Sequence, residues 1–329
     1  MTVEPVFVFS ILSPQTLASE VRQRYDMDIT AARLLRSGLN DTYVLTDSAG
    51  IRYIARVYRL NGRSEDEVSF ELDFVEHLES HGIGVCPAIR TTSGERVWPV
   101  ACAEGERKVL LTRYALGDEI VLADHGAVTG FGEAVASLHT AAMDFVPSVT
   151  APPLVMEQLL HQPLKTLRET GLVAPDNMSE LDRIGEEIGS ELSSLAAHDW
   201  TLRYCHGDLH GQNAHRSPDG KITHFDFDFS NQGWHAYDLA VFRWSAWINK
   251  DKDRWQHFLD GYAAHRPIES VPLKAFPLLA MLRHFSHMGM LCKLAPQSGS
   301  GFLNRVVIER QIKFMRGLMD EYASDSTLN

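Results

Sequence analysis

The sequence predicts an α+β chain of two lobes: a small one with a five-stranded antiparallel sheet plus one helix, and a larger, mainly helical one. Three observations carry this expectation. Up to about Gly117, short runs rich in Ile, Val and Tyr alternate with turn residues, which is the texture of antiparallel strands. A single helical stretch interrupts those runs. After Gly117, apolar residues recur mostly at helical spacing. The boundary is placed so that residues 1–115 form the first lobe and 116–329 the second.

Taken in order, Leu34–Arg36 and Tyr43–Thr46 flank a Ser37-Gly38-Leu39-Asn40-Asp41 turn, and Ile51–Arg59 follows a second turn at Asp47–Gly50. Ala88–Thr92, Val97–Cys102 and Lys108–Tyr114 are the remaining strand candidates, separated by turns at Ser93-Gly94-Glu95 and Gly105. The interrupting helix opens on Ser64-Glu65-Asp66-Glu67, a capping box in which Ser64 caps and Glu67 reaches back. Val68, Leu72, Val75 and Leu78 continue it at helical spacing, and Gly82 and Gly84 stop it. In the second lobe, Phe131–His139 is expected to be helical and Val146–Pro153 a Pro-rich loop. Asn304–Tyr322 places Val307, Ile308, Ile312, Met315, Leu318 and Met319 on one face, the pattern of a packed helix. Ala295–Gly301 is expected to be a mobile loop.

Composition narrows the function classes. The 329 residues are 44% hydrophobic and 22% charged, ordinary values for a globular protein that buries a core. Acidic residues outnumber basic ones by 43 to 31, a formal charge of -12, and this disfavours nucleic-acid binding. No apolar run of membrane-spanning length occurs. The N-terminus has an early Glu4 and no basic stretch, so no signal peptide is expected. The four cysteines, Cys86, Cys102, Cys205 and Cys292, are widely spaced without CxxC, which fits a reducing, cytoplasmic setting.

The chemistry is concentrated in Tyr204-Cys-His-Gly-Asp-Leu-His-Gly-Gln-Asn213 and His224-Phe-Asp-Phe-Asp-Phe229. The first contains H-x-D-x-x-x-x-N, the spacing of the kinase catalytic loop. Phosphoryl transfer asks a protein for alignment and charge neutralisation more than for covalent help. An Asp at the head of a tight loop can accept a hydroxyl proton. An Asn five residues later can offer Mg²⁺ a neutral, hard oxygen, and a further carboxylate can share the metal. On a strand, His224, Asp226 and Asp228 would lie on one face and Phe225, Phe227 and Phe229 on the other.

His206-Gly-Asp208-Leu-His-Gly-Gln-Asn213, Asp226, Gly233 and Asp238-Leu239-Ala240 resemble the aminoglycoside phosphotransferase superfamily, which includes choline kinases, type II homoserine kinases and stress-response kinases. Ser37–Tyr43 is similar to its phosphate-covering hairpin, Tyr53–Arg59 to its third strand, Leu110–Gly117 to its hinge, and Glu71 stands where its helix glutamate would. The resemblance implies a bilobal protein-kinase-like fold, ATP and Mg²⁺ as cofactors, and a hydroxyl-bearing small molecule as acceptor. Asp208 would be the catalytic base, and Asn213 and Asp226 the metal ligands. Gly38 and Asn40 would cover the phosphates, Arg56 and Glu71 would pair beside them, and the backbone from Arg113 to Ala115 would hold adenine. Asp238 would brace the catalytic loop. One departure stands out: the third strand carries Arg56 where the family usually has Lys, keeping the charge with a bulkier, bidentate group.

Rival readings are weaker. His206, His210, His215, His224 and His235 crowd together but follow no zinc-ligand spacing. Gly207-Asp-Leu-His-Gly211 resembles part of a metallophosphoesterase signature, without the upstream D-x-H or downstream G-N-H of a two-metal site. Gly130-Phe-Gly132 lacks a third glycine and a preceding strand, and there is no Walker A sequence. A Ser/Thr protein kinase of the stress-response type and an ATP-binding pseudokinase remain as alternatives. The acidic balance favours a small amine-bearing alcohol as acceptor.

Overall fold

A computed structural model of the chain describes residues 7–195, 201–248, 253–268, 272–298 and 301–324. The chain divides into two compact units. The first runs to Leu116 and takes in the short returns Pro147–Thr150 and Thr223–Phe225; the second takes in the rest from Gly117.

The first unit contains α1 (Pro14–Tyr25), β1 (Ile29–Ser37), β2 (Asn40–Asp47), β3 (Arg52–Tyr58), α2 (Glu65–Ser80), β4 (Val97–Cys102) and β5 (Gly105–Arg113). The strands form one five-stranded sheet in the order β1-β2-β3-β5-β4, and each neighbouring pair is antiparallel. Period-two alternation on β3 assigns its two faces. Tyr53, Ala55 and Val57 join Leu17 and Val21 of α1 in one core. Tyr58 instead packs with Val68 and Leu72 of α2, and Arg56 shares that second face. α2 begins as the sequence requires: Glu67 N–H donates to Ser64 Oγ at 3.2 Å, and Ser64 N–H to Glu67 Oε2 at 2.7 Å. The return at 223–225 adds a parallel bridge from His224 to Val85.

The second unit contains β6 (Asp118–Glu119), α3 (His125–Ala141), α4 (Gln162–Thr170), α5 (Pro175–Leu195), β7 (Arg203–Cys205), β8 (Ala214–Arg216), β9 (Ile222–His224, its end in the first unit), β10 (Asn231–Gly233), α6 (His235–Ile248), α7 (Asp253–His265), α8 (Ala275–Ser298) and α9 (Arg305–Ser324). Its core draws on α3 to α9, with Phe131, Phe242 and Phe258 buried together. Two glycines set the approach of α3 to α7. A Cβ on Gly132 would lie 2.1 Å from Phe258 O, and one on Gly261 would lie 2.0 Å from Thr129 O. That packing role accounts for the glycine at 132.

Three local expectations are corrected. Ala88–Thr92 is not a strand; only Ala88 bridges, to Thr112, and Gly94 N–H closes a turn on Thr91 O. The helix α8 runs through Ala295 to Ser298, so most of the expected mobile loop is helical. The strand at 222 ends at His224, and Phe227–Phe229 is a 3₁₀ turn. The three phenyl rings therefore do not share one face. Phe227 is buried at 2% exposure, while Phe225 and Phe229 are half-buried. The helix α1 has no counterpart among the elements expected from the sequence: Ser13 caps it, with Thr16 N–H on Ser13 Oγ at 3.1 Å, and Pro14 starts it.

Candidate active site

The catalytic-loop motif leaves β7 and the second motif runs into β10, and these two strands pair antiparallel with Cys205 opposite Asn231. That short ladder holds both motifs side by side. Gly207 is where they come closest. Its φ is +81°, and a Cβ there would meet Phe229 O at 2.1 Å, so only glycine fits. The His206 ring packs on the Phe227 ring with centroids 4.2 Å apart.

Asp238, in the first turn of α6, fixes the loop from below. Its Oδ2 accepts His206 N–H at 2.7 Å and its Oδ1 accepts Gly207 N–H at 2.8 Å. His139 Nε2 lies 3.2 Å from Oδ2, and its Nδ1 lies 3.1 Å from the Tyr262 hydroxyl. The His139 ring stacks on His235 at 3.8 Å. Complete burial pushes the Asp238 pKa up, against the pull of His206 and the two backbone donors. A carboxylate so engaged is a brace.

Asp208 stands at the turn held by that brace. Arg283 of α8 donates through Nη2 to Asp208 Oδ1 at 2.6 Å, and His210 Nε2 lies 3.6 Å from the same oxygen. The other oxygen accepts from Asn213 Nδ2 at 3.2 Å, and the same Nδ2 donates to the Asp208 carbonyl at 2.9 Å. Burial would raise the Asp208 pKa, but Arg283 first, then His210 and His206, outweigh it and hold the carboxyl far below its usual range. The charged hydrogen bond from Arg283 favours the ionised form of Asp208.

Two oxygen acceptors around one Asn213 nitrogen also fix the amide's orientation. Reversing it would set an amide oxygen against a carboxylate, so Nδ2 and not Oδ1 faces Asp208. Asn213 ends the 3₁₀ turn Gly211–Asn213. Asp226 heads the turn at Phe227 with φ 64° and ψ 56°, a left-handed conformation that a non-glycine residue adopts at some energetic cost. Asn213 and Asp226 each carry an oxygen donor, the type of atom that Mg²⁺ takes.

In the first unit, Arg56 Nη1 donates to Glu71 Oε1 at 2.8 Å. The other oxygen of Glu71 takes Arg63 Nη1, and the Tyr58 hydroxyl is 3.4 Å from it. Burial would raise the Glu71 pKa, and the two guanidiniums overcome it and lower it. Arg63 was missed by sequence reasoning because the loop before a capped helix gave it no pattern. At the hairpin between β1 and β2, Gly38 N–H donates to Asn40 O at 3.0 Å. Beneath the hairpin lies a buried charge network: Asp41 accepts from Arg59 Nη2 and Arg107 Nη2, both at 2.8 Å, and from Ser37 Oγ at 2.7 Å. Arg59 Nε also reaches Gly38 O at 3.3 Å. Arg113 ends β5 exposed, and Ala115 beyond it is buried.

Direct contacts thus join Asp208 to Asn213 and Arg56 to Glu71. Arg283 is the functional candidate that pattern reading missed, although an Arg-His-x-x-His stretch inside an apolar helix was a visible signal.

A family described as "Phosphotransferase enzyme family" matches residues 31–268. The chain belongs to this family. An uncharacterized protein of Deinococcus radiodurans is 33% identical over 315 residues, covering 93% of this chain and 90% of its own. Among solved structures, an amicoumacin kinase in complex with AMP-PNP, Ca²⁺ and Ami superposes with a TM-score of 0.77 at 21% identity, covering 94% of each chain. A microcompartment-associated aminopropanol kinase also reaches 0.77, at 20% identity, over 96% of this chain and 99% of its own. The α+β, protein-kinase-like fold class read from the sequence is the one found, and the phosphotransferase is an enzyme of the kinase type. Among the described residues no helix is long and apolar enough to cross a membrane.

Proposed function

We propose that this phosphotransferase moves the γ-phosphate of ATP to a hydroxyl of a small, amine-bearing acceptor, with Asp208 as the base. The observation that carries the reading is the setting of Asp208: held by Arg283 on one oxygen and Asn213 on the other, and standing on a loop that Asp238 clamps by two N–H groups. A carboxylate so held suits alignment of an attacking hydroxyl better than strong proton abstraction, which matches the demands of a loose phosphoryl transition state. Asn213 through Oδ1 and Asp226 through its carboxylate would hold Mg²⁺, which neutralises phosphate charge when bound. Arg56, paired with Glu71, would contact the nucleotide phosphates in place of the family's lysine, and Gly38 and Asn40 would cover them. The backbone from Arg113 to Ala115 would receive adenine.

The chain's acidic balance supports an amine-bearing acceptor, and an aminopropanol kinase stands among the structural neighbours. The test is ATP consumption with Mg²⁺ across aminopropanol, ethanolamine, choline, homoserine, aminoglycosides and generic protein acceptors. Turnover with an amino alcohol supports the reading. Turnover only with protein acceptors replaces it by a Ser/Thr kinase. ATP binding without turnover on any acceptor replaces it by a pseudokinase.

A further inference from the structure

Arg283 is buried in the middle of α8, at 3% exposure, among Trp244, Phe229 and His287. Its guanidinium carbon lies 4.9 Å from the Trp244 ring centroid and 6.0 Å from that of Phe229. Its described ion pair is the one to Asp208 Oδ1 at 2.6 Å, and its buried Nε has no hydrogen-bond partner among the described residues. A buried ion pair is a poor stabiliser compared with apolar packing, and an unsatisfied buried donor adds a further penalty. The arrangement therefore asks for a functional reason.

The division of labour on the carboxylate supplies one. Oδ1 faces Arg283 and His210, whereas among the described residues Oδ2 faces a single neutral donor, Asn213 Nδ2, at the long distance of 3.2 Å. An oxygen with two lone pairs and one weak donor can still accept a hydroxyl. The aromatic rings pack beside the guanidinium, and through the charged hydrogen bond the packed guanidinium restrains the rotation of the carboxylate.

We propose that Arg283 is a positioning residue for phosphoryl transfer: it pins Asp208 by Oδ1 and so presents Oδ2 to the acceptor hydroxyl. In the step it serves, the acceptor oxygen bonds to the γ-phosphorus and the bond from that phosphorus to the β–γ bridging oxygen breaks. The hydroxyl proton passes to Asp208 Oδ2, and ADP departs. Arg283 takes no proton and touches no reacting atom. The inference rests on the reading of Asp208 as the base.

The experiment compares wild type with Arg283→Met, Arg283→Lys and Arg283→Ala, using the acceptor that the panel identifies. In Arg283→Met, kcat is expected to fall on the order of 100-fold, the scale of a misplacement of about 1 Å, with the KM for ATP unchanged. Arg283→Lys should recover part of the loss, and added guanidinium ion should restore kcat in Arg283→Ala. A kcat for Arg283→Met close to wild type overturns the inference, as does a loss that neither Lys nor guanidinium reverses. A crystal structure of Arg283→Met in which Asp208 keeps its rotamer and its Asn213 bond overturns it as well. That last arm needs no turnover, so failure of the positioning idea is separable from failure to find any acceptor for the wild type.

Discussion

Arg56 on β3 meets Glu71 on α2 through a 2.8 Å charged hydrogen bond, so the arginine that replaces the family's usual lysine makes the strand-to-helix pairing. Glu71 is not a one-partner acid, however. Arg63, from the loop before α2, takes its other oxygen, and both guanidiniums are only 14% exposed. Two cations on one carboxylate leave a positive excess on this face of the sheet, suited to phosphate.

The two arginines should therefore separate in their effects. Arg56→Met is expected to raise the KM for ATP by roughly tenfold, about 1.4 kcal/mol of lost phosphate interaction, with little change in melting, since Arg63 still neutralises Glu71. Glu71→Ala leaves two guanidiniums facing each other and should destabilise the first unit by about 3 kcal/mol or more. Titration of ATP by calorimetry and thermal melts of both variants check this. An Arg56→Met enzyme with wild-type ATP affinity removes Arg56 from the nucleotide site.

Asp208→Asn keeps the size of the side chain and removes its charge. Activity should fall roughly 10²- to 10⁴-fold, the range for loss of a general base, while ATP binding persists. Stability should fall too, on the order of 3 kcal/mol, because Arg283 stays buried without its counter-ion. The double variant Asp208→Asn/Arg283→Met should regain much of that stability and none of the activity. Recovery of turnover in the double variant would show that Asp208 is not the base.

The catalytic loop was legible because its chemistry sits in consecutive residues at fixed spacing, and α2 was legible because a capping box is a local hydrogen-bond pattern. Asp226 was singled out by its spacing from Asn213, but its backbone was misjudged. Alternation of Phe and Asp reads as a strand, whereas the close approach of Gly207 to Phe229 forces the chain out of the ladder into a left-handed residue and a 3₁₀ turn. Arg283 and Arg63 lie 75 residues from Asp208 and 8 residues from Glu71. Such partners are created by tertiary packing, and no periodicity in the sequence announces them. Helix α1 was hidden because the apolar residues just before it masked its cap.

The glycine pair between α3 and α7 gives a prediction about stability alone. Ala at 132 would place a methyl 2.1 Å from a backbone carbonyl oxygen, and a backbone atom cannot swing aside as a flexible side chain can. Gly132→Ala should destabilise the second unit by about 2–3 kcal/mol, as overpacking does. Gly189→Ala on α5, where the nearest atom is the Met156 terminal methyl at 3.6 Å, should be neutral or slightly stabilising. Equal melting temperatures for the two variants would contradict the packing argument.

Acid sensitivity should come from α8. Trp244 Nε1–H donates to His284 Nδ1 at 3.3 Å, and His284 Nε2 lies 2.9 Å from Gln311 O. An indole nitrogen can only donate, so His284 must be neutral, with its proton on Nε2. Burial, with smaller contributions from His287 and Arg283, pulls its pKa down to about 3, although the bond to Gln311 opposes this. Burial and Arg283 pull His287 down to about 4. Both folded values lie below that of an exposed histidine, 6.5. As pH falls below that value the unfolded chain takes up protons that the folded chain refuses, and stability declines until the folded values are reached. Each histidine contributes a slope of up to about 1.4 kcal/mol per pH unit in that window. His287→Phe keeps an aromatic ring beside Trp244 and removes one titration, so its urea midpoint between pH 6.5 and 5 should fall less steeply than that of the wild type by about one proton's worth. Identical slopes for the two proteins would mean that His287 is not held neutral in the folded state.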